Sequence, residues 1–335
     1  MSMLNVGRQI FLTCFIVGIA AMSVGAQEKA AAKKFAIALH GGAGQSPKED
    51  TAKAVEASLA KALDIGVGVL KGGGTSLDAV ERVINYLEDD PLFNAGRGAV
   101  FNAAGQHELD ASIMDGKTLG CGGVAAVRTV RHPISLARLV MEKTPHVLLA
   151  TDGAEKFADE MGAKVERVEN SWFSTEKRRQ ELERAQKKDG KQAMNVLTEL
   201  QHSTVGCVAL DTQGNLAAGT STGGRTNKKF GRVGDSPIIG AGSYANNATC
   251  AISGTGLGEQ FIRHSVAFNI SARMSLMKQP LKDAVHEVLY KTLDPDDGGL
   301  IALGSDGTIV MDYTTAGMAR AAADSSGYRE IKIGR

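Results

Sequence analysis

The stretch His202-Ser203-Thr204-Val205-Gly206-Cys207-Val208-Ala209-Leu210-Asp211 decides how the chain is read. Val205 to Leu210 is a short run of small apolar residues, the pattern of a buried strand. The segment before it, 174–203, differs in composition. Ser174 or Thr175 can cap a helix, and Glu176-Lys-Arg-Arg-Gln-Glu-Leu-Glu-Arg-Ala-Gln-Lys-Lys interleaves both signs of charge. Its acids offset its bases, so it reads as a solvated helix rather than a nucleic-acid patch. Asp189-Gly190-Lys191 then opens a flexible linker. Thr204 thus stands where a loose segment meets a rigid one.

A threonine hydroxyl is a weak nucleophile unless a base lies beside it, and a free α-amino group on the same residue is such a base. Its unperturbed pKa of about 7.7–8.0 leaves a useful neutral fraction at working pH. Thr204 can have that amine only if the Ser203–Thr204 bond is cut after folding. A competing nucleophile is Ser221 in Gly219-Thr-Ser221-Thr-Gly223. This fits the G-x-S-x-G elbow, with His40-Gly-Gly as an oxyanion loop. That elbow needs a helix straight after the serine, and Gly223-Gly224-Arg225 starts one poorly.

Length and composition narrow the field. A chain of 335 residues can bury one large core or two modest ones. Aromatic residues are only 5% and glycines number 40, which points to close backbone packing and tight turns. The net charge of +1 gives no electrostatic case for a nucleic-acid partner. Residues 1–26 read as a secretory signal: Arg8, an apolar core from Ile10 to Ala21, and Val24-Gly25-Ala26 before cleavage. The alternative is a retained membrane anchor, for which the apolar core is short. The expected location is therefore exported, periplasmic or secreted, with no membrane attachment once the signal is removed. Of four cysteines, Cys14 lies in that segment; Cys121, Cys207 and Cys250 are too few for a disulfide framework. No CxxC motif or His/Cys cluster suggests zinc.

Along the chain, Lys33–Leu39 reads as a strand running into His40-Gly41-Gly42-Ala43-Gly44, either a loop lining a site or a tight turn. Residues 50–71 read as a helix. Thr75-Ser-Leu-Asp78 reads as the cap of another, whose Leu77, Val80, Ile84 and Leu87 share one face. Strands are expected at 107–115, 120–130, 204–211, 216–220, 236–241 and 248–253. Helices are expected at 134–143, 151–161, 258–275 and 280–293, and a closing hairpin at 299–313. Short turns between strands favour an antiparallel or mixed sheet in a layered α/β protein.

Seven ordered motifs tie these pieces together. They are His40-Gly-Gly-Ala-Gly, Pro91-Leu-Phe-Asn94-Ala-Gly-Arg97-Gly, Glu108-Leu-Asp-Ala-Ser-Ile-Met-Asp-Gly, Thr204-Val-Gly-Cys-Val-Ala-Leu-Asp, Thr220-Ser-Thr222-Gly-Gly, Gly231-Arg232-Val-Gly-Asp235-Ser-Pro and Thr255-Gly256-Leu-Gly258-Glu. From Phe35 almost to the C-terminus the sequence resembles the plant-type asparaginases and isoaspartyl peptidases, N-terminal-nucleophile hydrolases related to glycosylasparaginase. The resemblance implies a four-layer αββα sandwich in one domain, 27–335, self-cleaved into 27–203 and 204–335. It implies Thr204 as nucleophile, Thr222 touching it, and Thr255 with Gly256 N–H as the oxyanion hole. Arg232 would clamp the substrate α-carboxylate and Asp235 its α-ammonium, beside Gly258, while Asn94 would help place the nucleophile or water. It also implies a structural sodium ion on the backbone carbonyls of Leu87, Glu88, Asp90, Phe93, Ala95 and Arg97, no organic cofactor, and a homodimer of processed αβ units. The implied substrates are L-asparagine and β-aspartyl dipeptides. Glycosylasparagine hydrolysis and a non-catalytic amino-acid binder stay as alternatives. Ser203 departs from the Gly or Asp common in the family at that place. A Cβ there makes a strained backbone harder to reach, which bears on the rate of maturation.

Overall fold

The computed structural model describes residues 34–45, 48–187 and 204–334. The expected signal segment 1–26, the linker after Lys187 and Ser203 lie outside these residues. The chain runs through β1 (Ala36–Gly44), α1 (Glu49–Lys71), α2 (Ser76–Asp89), β2 (Leu109–Asp115), β3 (Cys121–Val127), α3 (Pro133–Lys143), β4 (Leu148–Ala150), α4 (Thr151–Met161) and α5 (Glu176–Lys187). After the gap follow β5 (Val205–Leu210), β6 (Leu216–Thr222), β7 (Ser243–Ala245), β8 (Cys250–Gly256), α6 (Gly258–Arg263), α7 (Val266–Met277) and α8 (Leu281–Lys291). The strands β9 (Gly298–Gly304), β10 (Ile309–Tyr313), β11 (Gly317–Asp324) and β12 (Arg329–Lys332) complete the chain.

Two sheets face each other. The larger has the order β12-β11-β1-β5-β6-β2-β3-β4 and the smaller β10-β9-β8-β7. Neighbours are antiparallel except β3 and β4, as the short connections predict. The strand alternation of period two sorts β1 and β5 by face. Ile37, Leu39, Val205 and Cys207 meet α1 and α2 through Leu59, Leu63, Val80 and Ile84. Ala36, Ala38, Val208 and Leu210 meet Ala251, Ile301 and Leu303 of the small sheet. Its outer face packs Ile252, Leu300 and Ala302 on Phe261, Ile270, Val285 and Val288 of the helices. The result is a four-layer αββα sandwich.

Small residues set the layer spacing. A Cβ on Gly122 in β3 would stand 2.0 Å from Ala137 O of α3, and one on Gly206 would stand 1.9 Å from Ser253 Oγ across the inter-sheet gap. The α2 start follows its sequence signal: Thr75 Oγ accepts the Asp78 N–H at 3.1 Å. Thr75 also carries its φ in the extended region, as an N-cap should. Thr175 caps α5 in the same way at 3.3 Å. One face of α5 is nonetheless anchored: Arg178 is buried and donates to Gly98 O at 2.7 Å.

Four expectations need correction. His40 to Gly44 is neither loop nor turn; β1 continues through Gly44 because β11 pairs with it, past a bulge between His40 and Gly42. Residues 236–241 are not a strand, since the Ile238 and Gly242 N–H groups both fold back onto Asp235 O. The expected helix 258–275 breaks at Ser265, whose φ of 47° is left-handed. The β9–β10 hairpin does not close the chain, because β11 returns to the large sheet beside β1 and carries β12 on its edge. In the α-helix–strand contact at Gly122, a Gly122→Ala substitution is expected to destabilise the protein by about 1–3 kcal/mol, since it pushes on backbone rather than on a movable side chain. Urea unfolding of the variant against the parent measures this.

Candidate active site

Thr204 heads β5, next to β1 and β6 in the middle of the large sheet. Alternation turns its side chain to the same face as Gly206 and Val208, the inter-sheet side. It is nearly buried, at 9% exposure. Its Oγ1 donates to Thr222 Oγ1 at 3.1 Å. Thr222 Oγ1 also accepts the Gly224 N–H at 3.0 Å. The hydroxyl is therefore tied to the turn that ends β6.

The Thr204 carbonyl is tied as well. His40 Nδ1 lies 3.0 Å from Thr204 O, and Nε2 lies 3.0 Å from Ser253 Oγ. A carbonyl only accepts, so Nδ1 carries the proton and Nε2 receives the Ser253 hydroxyl. Burial lowers the His40 pKa to about 3, which keeps the ring neutral in this arrangement. Hydroxyls continue behind it: Ser253 to Thr220 at 2.6 Å, Thr220 to Ser243 at 3.2 Å, and Ser243 to Ser112 at 2.7 Å. All four lie buried between the sheets.

Asn94 binds two segments together. Its Oδ1 accepts the Val100 N–H at 2.9 Å, and its Nδ2 donates to Gly224 O at 2.8 Å. The Gly224 turn is also where the cations gather. A Cβ on Gly224 would stand 3.3 Å from Arg232 Nη1 and 3.2 Å from Lys228 Nζ. Gly258 separates Arg232 from Asp235, for its Cβ would stand 2.8 Å from Arg232 Nη2 and from Asp235 Oδ1 alike. Thr255 is fully buried, and its Oγ1 accepts the Ala43 N–H at 3.4 Å. Gly256 lies opposite Gly298, where any side chain would strike Asp297 O. Thr204, Thr222, Asn94, Arg232, Gly258 and Asp235 are thus linked through the Gly224 turn and Gly258, while Thr255 and Gly256 end β8 just before Gly258.

Three charged residues near the site carry no role in the reading of the sequence: Glu259, Asp110 and Lys228. Arg232 forms a forked pair with Glu259, Nε to Oε1 at 3.0 Å and Nη2 to Oε2 at 3.1 Å. Half-burial alone would raise the Glu259 pKa, but the Arg232 pair outweighs it and holds the carboxyl down at about 2. Glu259 closes the motif that contains Gly258, so its position in the sequence was a usable signal. Asp110 and Lys228 are also buried. Asp110 Oδ1 accepts the Ala126 N–H at 2.8 Å, while Lys228 Nζ donates to Glu108 O at 2.8 Å. Burial raises the Asp110 pKa, and the Lys228 charge works against that shift.

Ser221 has no nucleophile's place. It points to the helix side of the sheet and donates to Glu88 Oε1 at 2.6 Å. The element that follows β6 is the strand β7, so no helix starts directly behind Ser221 as the elbow requires. Glu88 is itself buried, and also accepts the Ile134 N–H at 3.1 Å.

The loop after α2 folds back on its own carbonyls. Glu88 O accepts the Arg97 N–H at 2.6 Å and Asp90 O the Phe93 N–H at 3.2 Å. A Cβ on Gly96 would stand 2.2 Å from Glu88 O, and one on Gly98 would stand 2.7 Å from Phe93 O. Backbone carbonyls suit a hard cation and not a soft metal; here those of Glu88 and Asp90 each already accept one N–H. Among the described residues no three His, Cys, Asp or Glu side chains gather as a metal cluster. Among the same residues no helix is long and apolar enough to cross a membrane.

A four-layer αββα sandwich with a threonine at the head of a central strand is the architecture of the N-terminal-nucleophile hydrolases, and the chain is a hydrolase. It belongs to the asparaginase family, matched over residues 33–333. It is 46% identical over 306 residues to the isoaspartyl peptidase of Escherichia coli (strain K12), covering 86% of this chain and 92% of that protein. It is 42% identical over 323 residues to the probable isoaspartyl peptidase/L-asparaginase 2 of Arabidopsis thaliana, covering 89% and 98%. It is 42% identical over 293 residues to the isoaspartyl peptidase/L-asparaginase of Homo sapiens, covering 86% and 92%.

Asp235 gives this site a pH signature. It is buried, its Oδ2 has no hydrogen-bond partner, and burial raises its pKa to about 7. Between the ordinary value of 3.8 and about 7 the folded protein holds a proton that the unfolded chain has lost. Stability from this group therefore falls as pH rises through that window. Asp235→Asn removes the effect, so its unfolding free energy should gain on the parent's between pH 4 and pH 8. Parallel urea titrations at the two pH values read the change; a constant difference would rule out the raised pKa.

Proposed function

We propose that the chain is cut between Ser203 and Thr204 by its own Thr204, and that the matured protein hydrolyses the side-chain amide of L-asparagine and β-aspartyl dipeptides. The observation that carries this reading is Thr204 at the head of β5, with its hydroxyl on Thr222 and its carbonyl on His40. The relatives' names, which include isoaspartyl peptidase and L-asparaginase, support the substrate class.

In maturation the Thr204 hydroxyl oxygen attacks the Ser203 carbonyl carbon. The C–N bond breaks, an ester forms, and the Thr204 nitrogen becomes a free amine. Water then hydrolyses the ester. In turnover that amine accepts the hydroxyl proton as Oγ1 attacks the substrate amide carbon. The Thr255 hydroxyl and the Gly256 N–H stabilise the oxyanion. Collapse expels ammonia or an amino acid, which leaves with the proton, and water releases L-aspartate from the acyl-enzyme. Arg232 would take the substrate α-carboxylate and Asp235 the α-ammonium. The charged Asp235 that this requires grows in as pH rises through about 7. Asn94 would steady the Gly224 turn against the nucleophile.

A sodium ion held by the carbonyls of Leu87, Glu88, Asp90, Phe93, Ala95 and Arg97 belongs to the same proposal; its charge would offset converging carbonyl dipoles in the loop that carries Asn94. Export with loss of 1–26, and pairing of two αβ units, complete it. The sequence of 1–26 and the resemblance to the family support these points.

Thr204→Ala should give one uncut chain without hydrolysis of asparagine or β-aspartyl dipeptides, read by intact mass and an ammonia or amino-acid release assay. Turnover in that variant would move the nucleophile elsewhere. Thr255→Ala should lower kcat by roughly 10²–10³ through loss of one oxyanion donor, measured on the cleaved enzyme.

A further inference from the structure

A cleft lies beside the β9–β10 strand pair. It opens between α8 and β10 and has a volume of about 560 Å³. That is within the usual range of about 300–1,000 Å³ for small-molecule sites. Leu289, Leu293, Pro295 and Met311 give it apolar walls. Arg320 of β11 lines it and is only 7% exposed.

The state of Arg320 is unusual for a buried cation. Its Nη1 donates to Met318 O at 2.9 Å and to Gly334 O at 2.7 Å. Its guanidinium lies 5.0 Å from the Tyr313 ring centroid. Among the described residues it meets no carboxylate within 4.0 Å, and its Nε and Nη2 have no acceptor. The Nε–Nη2 edge is the fork that a carboxylate engages with two parallel hydrogen bonds. A buried guanidinium with that edge open to a cleft calls for an anion.

Asp312 lines the same cleft. Its Oδ1 accepts the Tyr290 hydroxyl and the Tyr313 N–H, each at 2.8 Å. Its Oδ2 has no hydrogen bond among the described residues. The cleft therefore offers a fork for a carboxylate, a carboxylate for a cation, and apolar walls beyond them. We propose that this cleft binds a free α-amino acid with an apolar side chain, its carboxylate on Arg320 and its ammonium on Asp312. Thr314, also in the lining, holds Gly298 O through its N–H at 2.8 Å, and Gly298 lies opposite Gly256. The site is thus adjacent to the proposed oxyanion strand yet independent of any hydrolysis there.

The test is calorimetric titration of the whole protein with L-leucine and L-phenylalanine. L-Aspartate is held saturating, so that the Arg232 and Asp235 site is filled. Saturable one-to-one binding of either probe is expected. 4-Methylpentanoate, which lacks the ammonium, and 3-methylbutylamine, which lacks the carboxylate, should each bind at least about tenfold more weakly than leucine. Arg320→Gln should weaken leucine by about tenfold or more. Met311→Trp fills the cleft without touching either charge and should abolish binding, with an unchanged circular dichroism spectrum as the control for folding. Absence of saturable binding by both probes, displacement by aspartate, amine binding equal to leucine, or binding that survives Met311→Trp would each overturn the assignment.

Discussion

The bond from His40 to the Thr204 carbonyl constrains the rest of the site. Fixing that carbonyl fixes the peptide plane beyond Thr204, which includes the Thr204 Cα, while Thr222 holds the hydroxyl. The Thr204 carbonyl can only accept, so it holds the ring with a proton on Nδ1, and in the neutral ring the Ser253 hydroxyl donates to Nε2. Behind Ser253, the hydroxyls of Thr220, Ser243 and Ser112 continue the contacts through the gap between the sheets, ending on the Ser236 and Gly242 carbonyls. Each is a polar group that would cost free energy if left unpaired in this interior.

Such a chain fits only because the strands beside it are nearly bare. Gly206 in β5 leaves room for both Ser253 and the His40 ring; a Cβ there would stand 2.4 Å from His40 Nε2. On the opposite face, Gly219 lets α2 and α3 approach β6, with Val80 and Ile84 against the strand. The high glycine and low aromatic content, puzzling as composition, follow from these layers.

The sequence displayed the layers and most of the site through periodicity and through contiguous motifs. Thr204 begins a run that periodicity marks as a strand, whereas Thr222, Thr255 and Gly256 lie past the expected strand ends at 220 and 253 and are reached only through the family resemblance. The α2 cap was legible because its signal is local, three residues from Thr75 to Asp78. What was hidden depends on pairing between distant segments. His40 to Gly44 carry too many glycines to be read as a strand, and only β11 makes them one. Ser265 breaks a helix by a backbone angle that its side chain does not announce. The Ser221 motif was a decoy for a further reason: a pattern of spacing does not say which face of a strand a residue occupies, and its neighbour Thr222 takes the face toward Thr204.

The charges around Gly258 carry the last step of the argument. Arg232 satisfies its fork with Glu259, a carboxylate that is 45% exposed. Water reaches the Glu259 side of that pair, so an incoming carboxylate can compete with Glu259 for the Arg232 fork. Asp235 is in the opposite condition, buried with one oxygen unpaired. An ammonium group placed there would both supply a hydrogen bond and offset the desolvation that raises its pKa. One residue gives up a water-exposed partner and the other gains a missing one. A zwitterion does both at once, whereas a lone carboxylate or a lone amine does only half, and that asymmetry favours an amino-acid head group over any singly charged ligand at Gly258.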